Sequence, residues 1–376
     1  MLRVVEAISD ANIGGAGRLL INRIKNTDRE NFDIVVVLPR GSMLKSVLLA
    51  EGVKVYEING GKDKSFDIKG LVGMISIIRK LKPDIVNSHG SLNARFAAKI
   101  CGVKVKLFTR HCDFSVKRIF KLGIVKRVFG FFNNFLSDGC IAVSESAKNN
   151  LQALGVNEEK IVVIINGAYP VRALSDLDRE IFKKDKRISL DFMVISIFAR
   201  LESYKDHVTF LKAAALLKDE NYTFLIVGDG SEDKKIKAVA KELSLDDRVV
   251  FTGFVNDVTE WMNITDINVN CSVGTETSSL ALSEGMSLGI PAVVSDYPGN
   301  TYMVKHNVNG MIFPQRDYAT LAENIKRLSK DKKIYDRMRF EARSRFESEL
   351  NAKAMTKATE AYYLKMYETK NSQDQA

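Results

Sequence analysis

A chain of 376 residues, 45% hydrophobic and 27% charged, is long enough for two domains with separate cores and too well mixed to be disordered. Its four cysteines, Cys101, Cys112, Cys140 and Cys271, form no CxxC pair and have no histidine at metal-ligand spacing, which argues against a disulfide framework or a zinc site and fits a reducing cytoplasm. The formal charge of +10 is unevenly spread: residues 1–170 hold 26 Lys and Arg against 15 Asp and Glu, and the remainder hold 30 against 31. That excess predicts an anionic partner for the first half, and with no nucleic-acid motif in view, nucleic acid is set aside.

The first apolar run, "LRVVEAI", is interrupted by Glu6. It lacks a secretory core and cleavage site, and nowhere do eighteen apolar residues run together, so neither a secretory leader nor a membrane span is expected. Next comes "SDANIGGAGRLL", where Gly14, Gly15 and Gly17 open a predicted helix. Such a loop lets backbone N–H groups approach an anion. As a dinucleotide fingerprint it fails, because Leu20 stands where a third small residue should. A tight strand-to-helix turn and a phosphate- or substrate-binding loop without NAD both remain open.

Further runs, "FDIVVVL", "VKVYEI", "PDIVNSH", "VKLFTR", "GCIAVS" and "IVVIING", alternate with stretches of helical period. This alternation predicts a parallel sheet with helices on both faces. The segment from Ala168 to Asp191 is charged, weakly periodic and opened by Pro170, and 171–190 reads as a linker. The second half repeats the plan with "FMVISIFAR", "YTFLIVGDG", "RVVFTGF", "DINVNCS", "IPAVVSD" and "GMIFP", then turns helical. The expected domains are therefore 1–170 and 191–348, both doubly wound, with a helix and polar tail over 349–376. In such sheets ligands bind beyond the carboxyl ends of strands, which predicts a site in a cleft between the two.

Several residues just after strands carry the chemistry. "FARLESYKD" offers Arg200 and Lys205, a pair suited to a diphosphate. "IVGDGSE" adds a Gly-rich turn, and the backbone of Gly253, Phe254 and Val255 in "FTGF" and beyond could edge a nucleobase. "GTETSSLALSEGMSLGIPAVVSD" places Glu276 in a run of hydroxyl residues and Glu284 further on.

In this order the pieces resemble the retaining glycosyltransferases of family 4, whose fold is GT-B: two Rossmann-like doubly wound domains. The resemblance rests on "GGAGR", "AVSESAKNNLQALGV", "INGAYP", "ARLESYK", "IVGDG" and the E-x7-E element Glu276 to Glu284 before "GMSLGIPAVVSD", and covers nearly the whole chain. It implies that Glu276 contacts hydroxyls of a donor sugar and Glu284 the ribose of its nucleotide. Carboxylates suit that task, since each accepts two hydroxyl hydrogen bonds at once. It further implies that Arg200 and Lys205 neutralise the departing diphosphate, and that His111, in "FTRHCDF", stands beside the reacting sugar. Gly14, Gly15 and Arg18, with Thr277, Ser278, Ser279 and Leu280, complete the expected substrate contacts. A lone histidine is more often structural, and His89 is read so.

Two departures fall near the sugar pocket. Thr277 and Ser278 replace a common Gly and aromatic after Glu276, and Tyr302 stands where an acid is often found; both leave the donor sugar open. The resemblance implies a nucleotide diphosphate sugar as co-substrate, UDP-linked rather than GDP-linked; with no Asp-x-Asp element after a strand ("DLD", Asp176 to Asp178, falls in the linker), it is expected to bind without metal or other cofactor. The acceptor would be a lipid-linked or glycan precursor of the cell envelope. "FSVKRIFKLGIVKRVFGFFNNFL", Phe114 to Leu136, mixes basic residues with phenylalanines. It reads either as a helix lying on anionic lipid at the cytoplasmic face or as a core helix with a basic solvated side, broken at Gly123 and Gly130. The rival functions are a nucleotide-sugar 2-epimerase of similar fold and a non-catalytic nucleotide-sugar-binding subunit.

Overall fold

The computed structural model describes residues 1–60, 62–111 and 123–375. The chain divides into two compact units, Met1–Gly167 with Ala352–Ala376, and Ala168–Asn351. Among the described residues the first unit has strands β1 (Leu2–Ile8), β2 (Phe32–Pro39), β3 (Lys54–Ile58), β4 (Ile85–His89), β5 (Val105–Arg110), β6 (Gly139–Ala142) and β7 (Ile161–Val163). They form one sheet in the order β3-β2-β1-β4-β5-β6-β7, all pairs parallel. The second unit has β8 (Met193–Phe198), β9 (Tyr222–Val227), β10 (Val249–Gly253), β11 (Ile267–Asn270), β12 (Ala292–Ser295) and β13 (Gly310–Phe313). Their order is β10-β9-β8-β11-β12-β13, again all parallel. Every strand read from the apolar runs is present, and both units are Rossmann-like.

Central strands read as unbroken apolar runs because helices cover both faces. In the first unit, Val5, Val35 and Val86 pack under helices Ile68–Leu81 and Leu92–Ile100, while Ile8, Val36 and Leu38 pack under Gly15–Lys25 and Leu44–Ala50. In the second, Phe210, Phe224 and Phe313 are fully buried in one core cluster, and Phe182, Val194 and Leu225 belong to another. The strand order reverses between β1 and β4 and between β8 and β11. At these switch points connections leave in opposite directions and open a crevice beyond the strand ends.

The structure draws the domain boundaries differently from the sequence. Residues 171–190 are no free linker: they contain helix Asp176–Asp185, whose Phe182 packs edge-on against Trp261 with ring centroids 4.9 Å apart. Ahead of it, Leu174 N–H donates to Asn263 Oδ1 and Val171 N–H to Ser287 Oγ. One buried aromatic and a few backbone bonds hold a segment whose composition looks solvated. The helix Ala352–Gln375, expected as part of a helix and polar tail over 349–376 following the second domain, belongs to the first unit.

Of the segment Phe114 to Leu136, residues 114–122, with Lys117, Arg118 and Lys121, lie outside the described residues, as does Cys112. The described part forms helix Gly123–Leu136, which continues through Gly130. A Cβ at Gly130 would come within 2.4 Å of the Gly155 carbonyl oxygen, so this glycine permits close backbone packing rather than breaking the helix. Phe131, Phe132 and Phe135 are 65%, 51% and 51% exposed, contrary to the core-helix expectation.

Candidate active site

In the second unit, the two strands flanking the switch point lead into the loops that carry the candidate residues. Beyond β8 the chain runs through Arg200 into a short 3-10 turn, Ser203–Lys205; beyond β11 it loops through Ser272 and Glu276 to helix Leu280–Ser287. The loops are joined, since Val273 N–H donates to the Tyr204 carbonyl at 2.9 Å. Lys205 Nζ reaches Glu276 Oε2 at 2.5 Å. The same oxygen accepts from Asn270 Nδ2 at 3.1 Å and Ser272 Oγ at 3.2 Å. Behind it, Asn300 Nδ2 contacts Asn270 Oδ1 and Ser295 Oγ, and Ser295 Oγ–H donates to the Ser272 carbonyl. Glu276 is thus aimed by a polar network built at the strand ends.

The Glu276 loop is also fixed sterically. A Cβ on Gly299 would lie 2.1 Å from the Glu276 carbonyl oxygen, so only glycine lets helix Pro298–Met303 press this closely. Thr275, just before Glu276, has φ of 47°, and Asp206, just after Lys205, has φ of 50°. Left-handed backbone at non-glycine residues on both sides of the pair is held by its surroundings.

Arg200 is exposed, and its Nη2 donates to Tyr204 Oη at 2.6 Å. Glu284 sits in the second turn of the helix Leu280–Ser287, half-buried; Leu280 is its first residue, and Ser279 caps it by accepting from Leu282 N–H. Thr277 and Ser278 are buried. Gly253, with φ of 69°, ends β10 and its carbonyl accepts from Gly228 N–H. Phe254 is 72% exposed and Val255 packs against the core holding Trp261. The structure therefore brings Lys205 and Glu276 into contact and ties Arg200 to Tyr204 of the same turn, while Phe254 faces solvent. Asp176 and Asp178 of "DLD" lie in the first turn of helix Asp176–Asp185, engaged by Arg179 and Ser175.

In the first unit, Gly14 is the N-cap of helix Gly15–Lys25, and Arg18 N–H donates to the Gly14 carbonyl. His111 follows β5 and is half-buried. Its Nε2 lies 2.7 Å from Nδ1 of His89, with the rings near parallel at 28°. His89 Nε2 in turn lies 2.7 Å from Glu6 Oε2. With Arg23, Asn87, Thr109 and Asn166, the two histidines line a small cavity. Burial, then the neighbouring His89, holds the His111 pKa well below 6.5; Arg23 and Arg110 push the same way and Glu6 opposes. His111 is neutral at physiological pH.

Glu6 and His207 escaped the sequence reading. The signal for Glu6 was present, a lone acid inside an otherwise apolar run, and it is fully buried in the middle of a central strand. His207, 1% exposed at the start of helix His207–Leu216, has no hydrogen-bond partner on either ring nitrogen. Burial, and secondarily Lys205, holds its pKa at about 4. A lone histidine two residues after a cation gave no sequence signal.

Two family models match the chain: "Glycosyltransferase Family 4" over residues 13–172 and "Glycosyl transferases group 1" over residues 178–345. A curated relative from Escherichia coli, the UDP-Gal:alpha-D-GlcNAc-diphosphoundecaprenol alpha-1,3-galactosyltransferase, is 25% identical over 338 residues, 85% of this chain and 86% of that protein. Among solved structures, a glycosyltransferase from Rickettsia africae superposes with a TM-score of 0.86 at 19% identity, covering 97% of this chain and 98% of that one. HepE from Anabaena, solved in complex with UDP, superposes with a TM-score of 0.84 at 19% identity, covering 96% and 99%. These likenesses show the fold to be GT-B.

Proposed function

Because the chain belongs to the glycosyltransferases of family 4, we propose that it is a retaining enzyme that moves a sugar from a UDP-linked donor to a lipid-linked or glycan acceptor of the cell envelope. The observation that carries this reading is the Lys205–Glu276 contact at the β8/β11 switch point. The two side chains are only 14% and 9% exposed, so each holds the other's charge while no donor is bound. Arrival of a diphosphate draws the ammonium to its oxygens and releases the carboxylate to accept sugar hydroxyls. Ser278 Oγ and Asn300 Oδ1, buried nearby without a protein partner, are further groups that donor hydroxyls could satisfy.

In the transfer itself, the bond from the anomeric carbon to the diphosphate oxygen breaks and a bond to the acceptor oxygen forms on the same face. The acceptor proton passes to the departing phosphate. Arg200 and Lys205 stabilise the charge growing there, and Glu284 holds the ribose. His111 of the first unit serves the reacting sugar. These two cations replace a metal, in keeping with the engagement of Asp176 and Asp178 by their own helix turn. The UDP in the relative's name and in the HepE complex supports the choice of nucleotide. The epimerase rival is unsupported: among the described residues, the acid gathered with the first unit's histidines, Glu6, is occupied by donors on both oxygens.

The acceptor class rests on the relative's diphosphoundecaprenol substrate and on the first unit's surface. That unit holds 30 Lys and Arg against 18 Asp and Glu, the second 26 against 28. Among its exposed groups, Phe131, Phe132 and Phe135 cluster, with Lys99 Nζ 4.2 Å from the Phe135 ring centroid. No helix among the described residues is long and apolar enough to cross a membrane. Peripheral attachment to anionic lipid fits both features.

The test is incubation of the pure protein with a panel of nucleotide sugars, with and without EDTA, following slow donor hydrolysis and thermal stabilisation. A UDP-sugar at a hundredfold excess over its Kd should stabilise the protein by about 2.7 kcal/mol. Stabilisation by none of the panel would overturn the reading. Activity lost to EDTA and restored by magnesium would overturn the metal-free part alone.

A further inference from the structure

Tyr204 engages both cations of the second unit's site. Its Oη lies 2.6 Å from Arg200 Nη2, and its ring centroid lies 5.6 Å from the Lys205 ammonium, which is itself paired with Glu276. A guanidinium has only donors, so in the first contact the phenol oxygen accepts. Among the described residues the Arg200 guanidinium has no other hydrogen-bond partner.

The backbone that carries Tyr204 is clamped from two directions. On one side Leu201 N–H donates to the Asp229 carbonyl at 3.0 Å, Glu232 N–H donates to the Leu201 carbonyl at 2.9 Å, and Ser231 Oγ–H donates to Glu202 Oε2 at 2.9 Å. On the other, Val273 N–H donates to the Tyr204 carbonyl at 2.9 Å, and a Cβ on Gly274 would lie 3.5 Å from Tyr204 Cβ. Tyr204 is half-buried between these braces, whereas Arg200 is exposed. Left to itself, an exposed arginine samples many rotamers and must surrender that freedom to grip a ligand.

We infer that Tyr204 is a positioning residue for the anion-binding pair. Its hydroxyl holds the Arg200 guanidinium to the turn that bears Lys205, so that the two cations meet a diphosphate as one preorganised unit. The tie occupies one of the five guanidinium N–H groups and leaves four for phosphate oxygens. The ring face attracts the Lys205 ammonium independently of Glu276, so the lysine keeps an anchor when that carboxylate turns to sugar hydroxyls. What the pair binds rests on the proposed function; the tie between Tyr204 and Arg200 does not.

The test is Tyr204→Phe in the full chain, which keeps the ring beside Lys205 and removes the acceptor for Arg200. Nitrogen NMR relaxation of the arginine side chains in the free protein, with the Arg200 signal assigned from Arg200→Lys, should show Arg200 Nε restricted in the wild type and mobile in the variant. Equal mobility in the two would overturn the tie. In turnover of a UDP-sugar, Tyr204→Phe should lower kcat by roughly tenfold, as for a transition-state donor misaimed rather than lost, with the melting temperature near that of the wild type. Added to Arg200→Ala, the same substitution should lower kcat by less than about twofold more, because a residue that acts through Arg200 has nothing left to position. A merely structural role would cost the same factor in both backgrounds. That result, or an unchanged kcat in the single variant, would overturn the inference. A restricted Arg200 in a wild type that binds neither UDP nor any UDP-sugar would instead refute the proposed function and leave the tie standing.

Discussion

At the switch point of the first unit Glu6 is fully buried, Arg23 is 5% exposed, and both carboxylate oxygens are occupied by donors. At that of the second, Arg200 faces solvent and Lys205 holds Glu276 through one contact on a loop. The strand order around both points is the same, so the difference lies in the residues. A sealed, saturated network fixes one arrangement, because any change leaves a buried group unpaired. The Lys205–Glu276 pair is joined by one contact, and Asn270 and Ser272 keep donating to Glu276 if that contact is exchanged for a ligand. The first arrangement holds its groups in one geometry, and the second leaves a cation free to meet the charged donor proposed above.

The sharpest way to break this comparison is to open the sealed network. Glu6→Ala should destabilise the protein by about 3–5 kcal/mol, since it strands the Arg23 guanidinium in the interior; chemical denaturation measures it. A loss near zero would mean that water reaches Arg23. The pH dependence has a defined sign. The folded pKa of Glu6, about 2, lies below its ordinary 4.5, so its stabilisation is complete above pH 4.5 and is lost as pH falls toward 2. The span is about 3 kcal/mol.

At the second switch point, Arg200→Ala or Lys205→Ala should lower turnover by roughly two to three orders of magnitude, as for one lost transition-state donor, while the melting temperature of Arg200→Ala stays near that of the wild type. Less than about threefold loss in steady-state kinetics would make them ordinary surface cations. A smaller effect separates the two acids. Glu284→Ala should weaken binding of free UDP by about 1–3 kcal/mol, the cost of an uncompensated charged hydrogen bond; Glu276→Ala should spare UDP and impair binding of the whole donor. Equal loss of UDP affinity in both, by calorimetry, would contradict their roles. The smallest effect on stability concerns the exposed aromatics: Phe131→Ala and Phe132→Ala should each change it by less than about 0.5 kcal/mol, yet reduce sedimentation with anionic vesicles. Several kcal/mol of destabilisation would restore the core-helix reading.

The same contrast explains what the sequence could and could not tell. Strand runs such as "FDIVVVL" are set by burial on both faces and are legible one segment at a time. Lys205 and Glu276 stood in loops just after strands, where residue types are free to serve a ligand, and the motif around them was readable. Glu6 was not, because its meaning is held by Asn87, His89 and Tyr363, which are 81, 83 and 357 residues away. In isolation it looked only like a flaw in an apolar run. The segment 171–190 misled for a related reason: Phe182 anchors it, and one aromatic among charges carries little periodic signal.

Tyr363 belongs to the helix Ala352–Gln375, yet it completes the first unit. Synthesis runs from the amino terminus, so β1 to β7 emerge while this tyrosine is still some two hundred residues from being made. At about 5–20 residues per second, that is a wait on the order of ten to forty seconds, during which Glu6 lacks a donor and the apolar bed of the last helix is open. The part made first is thus the part finished last. A chain ending before Ala352 is expected to expose its first unit to limited proteolysis while Ala168–Asn351 resists; equal resistance would show that the returning helix is dispensable. Translation cut short is thereby registered in the oldest segment of the polypeptide, where quality control can act on it.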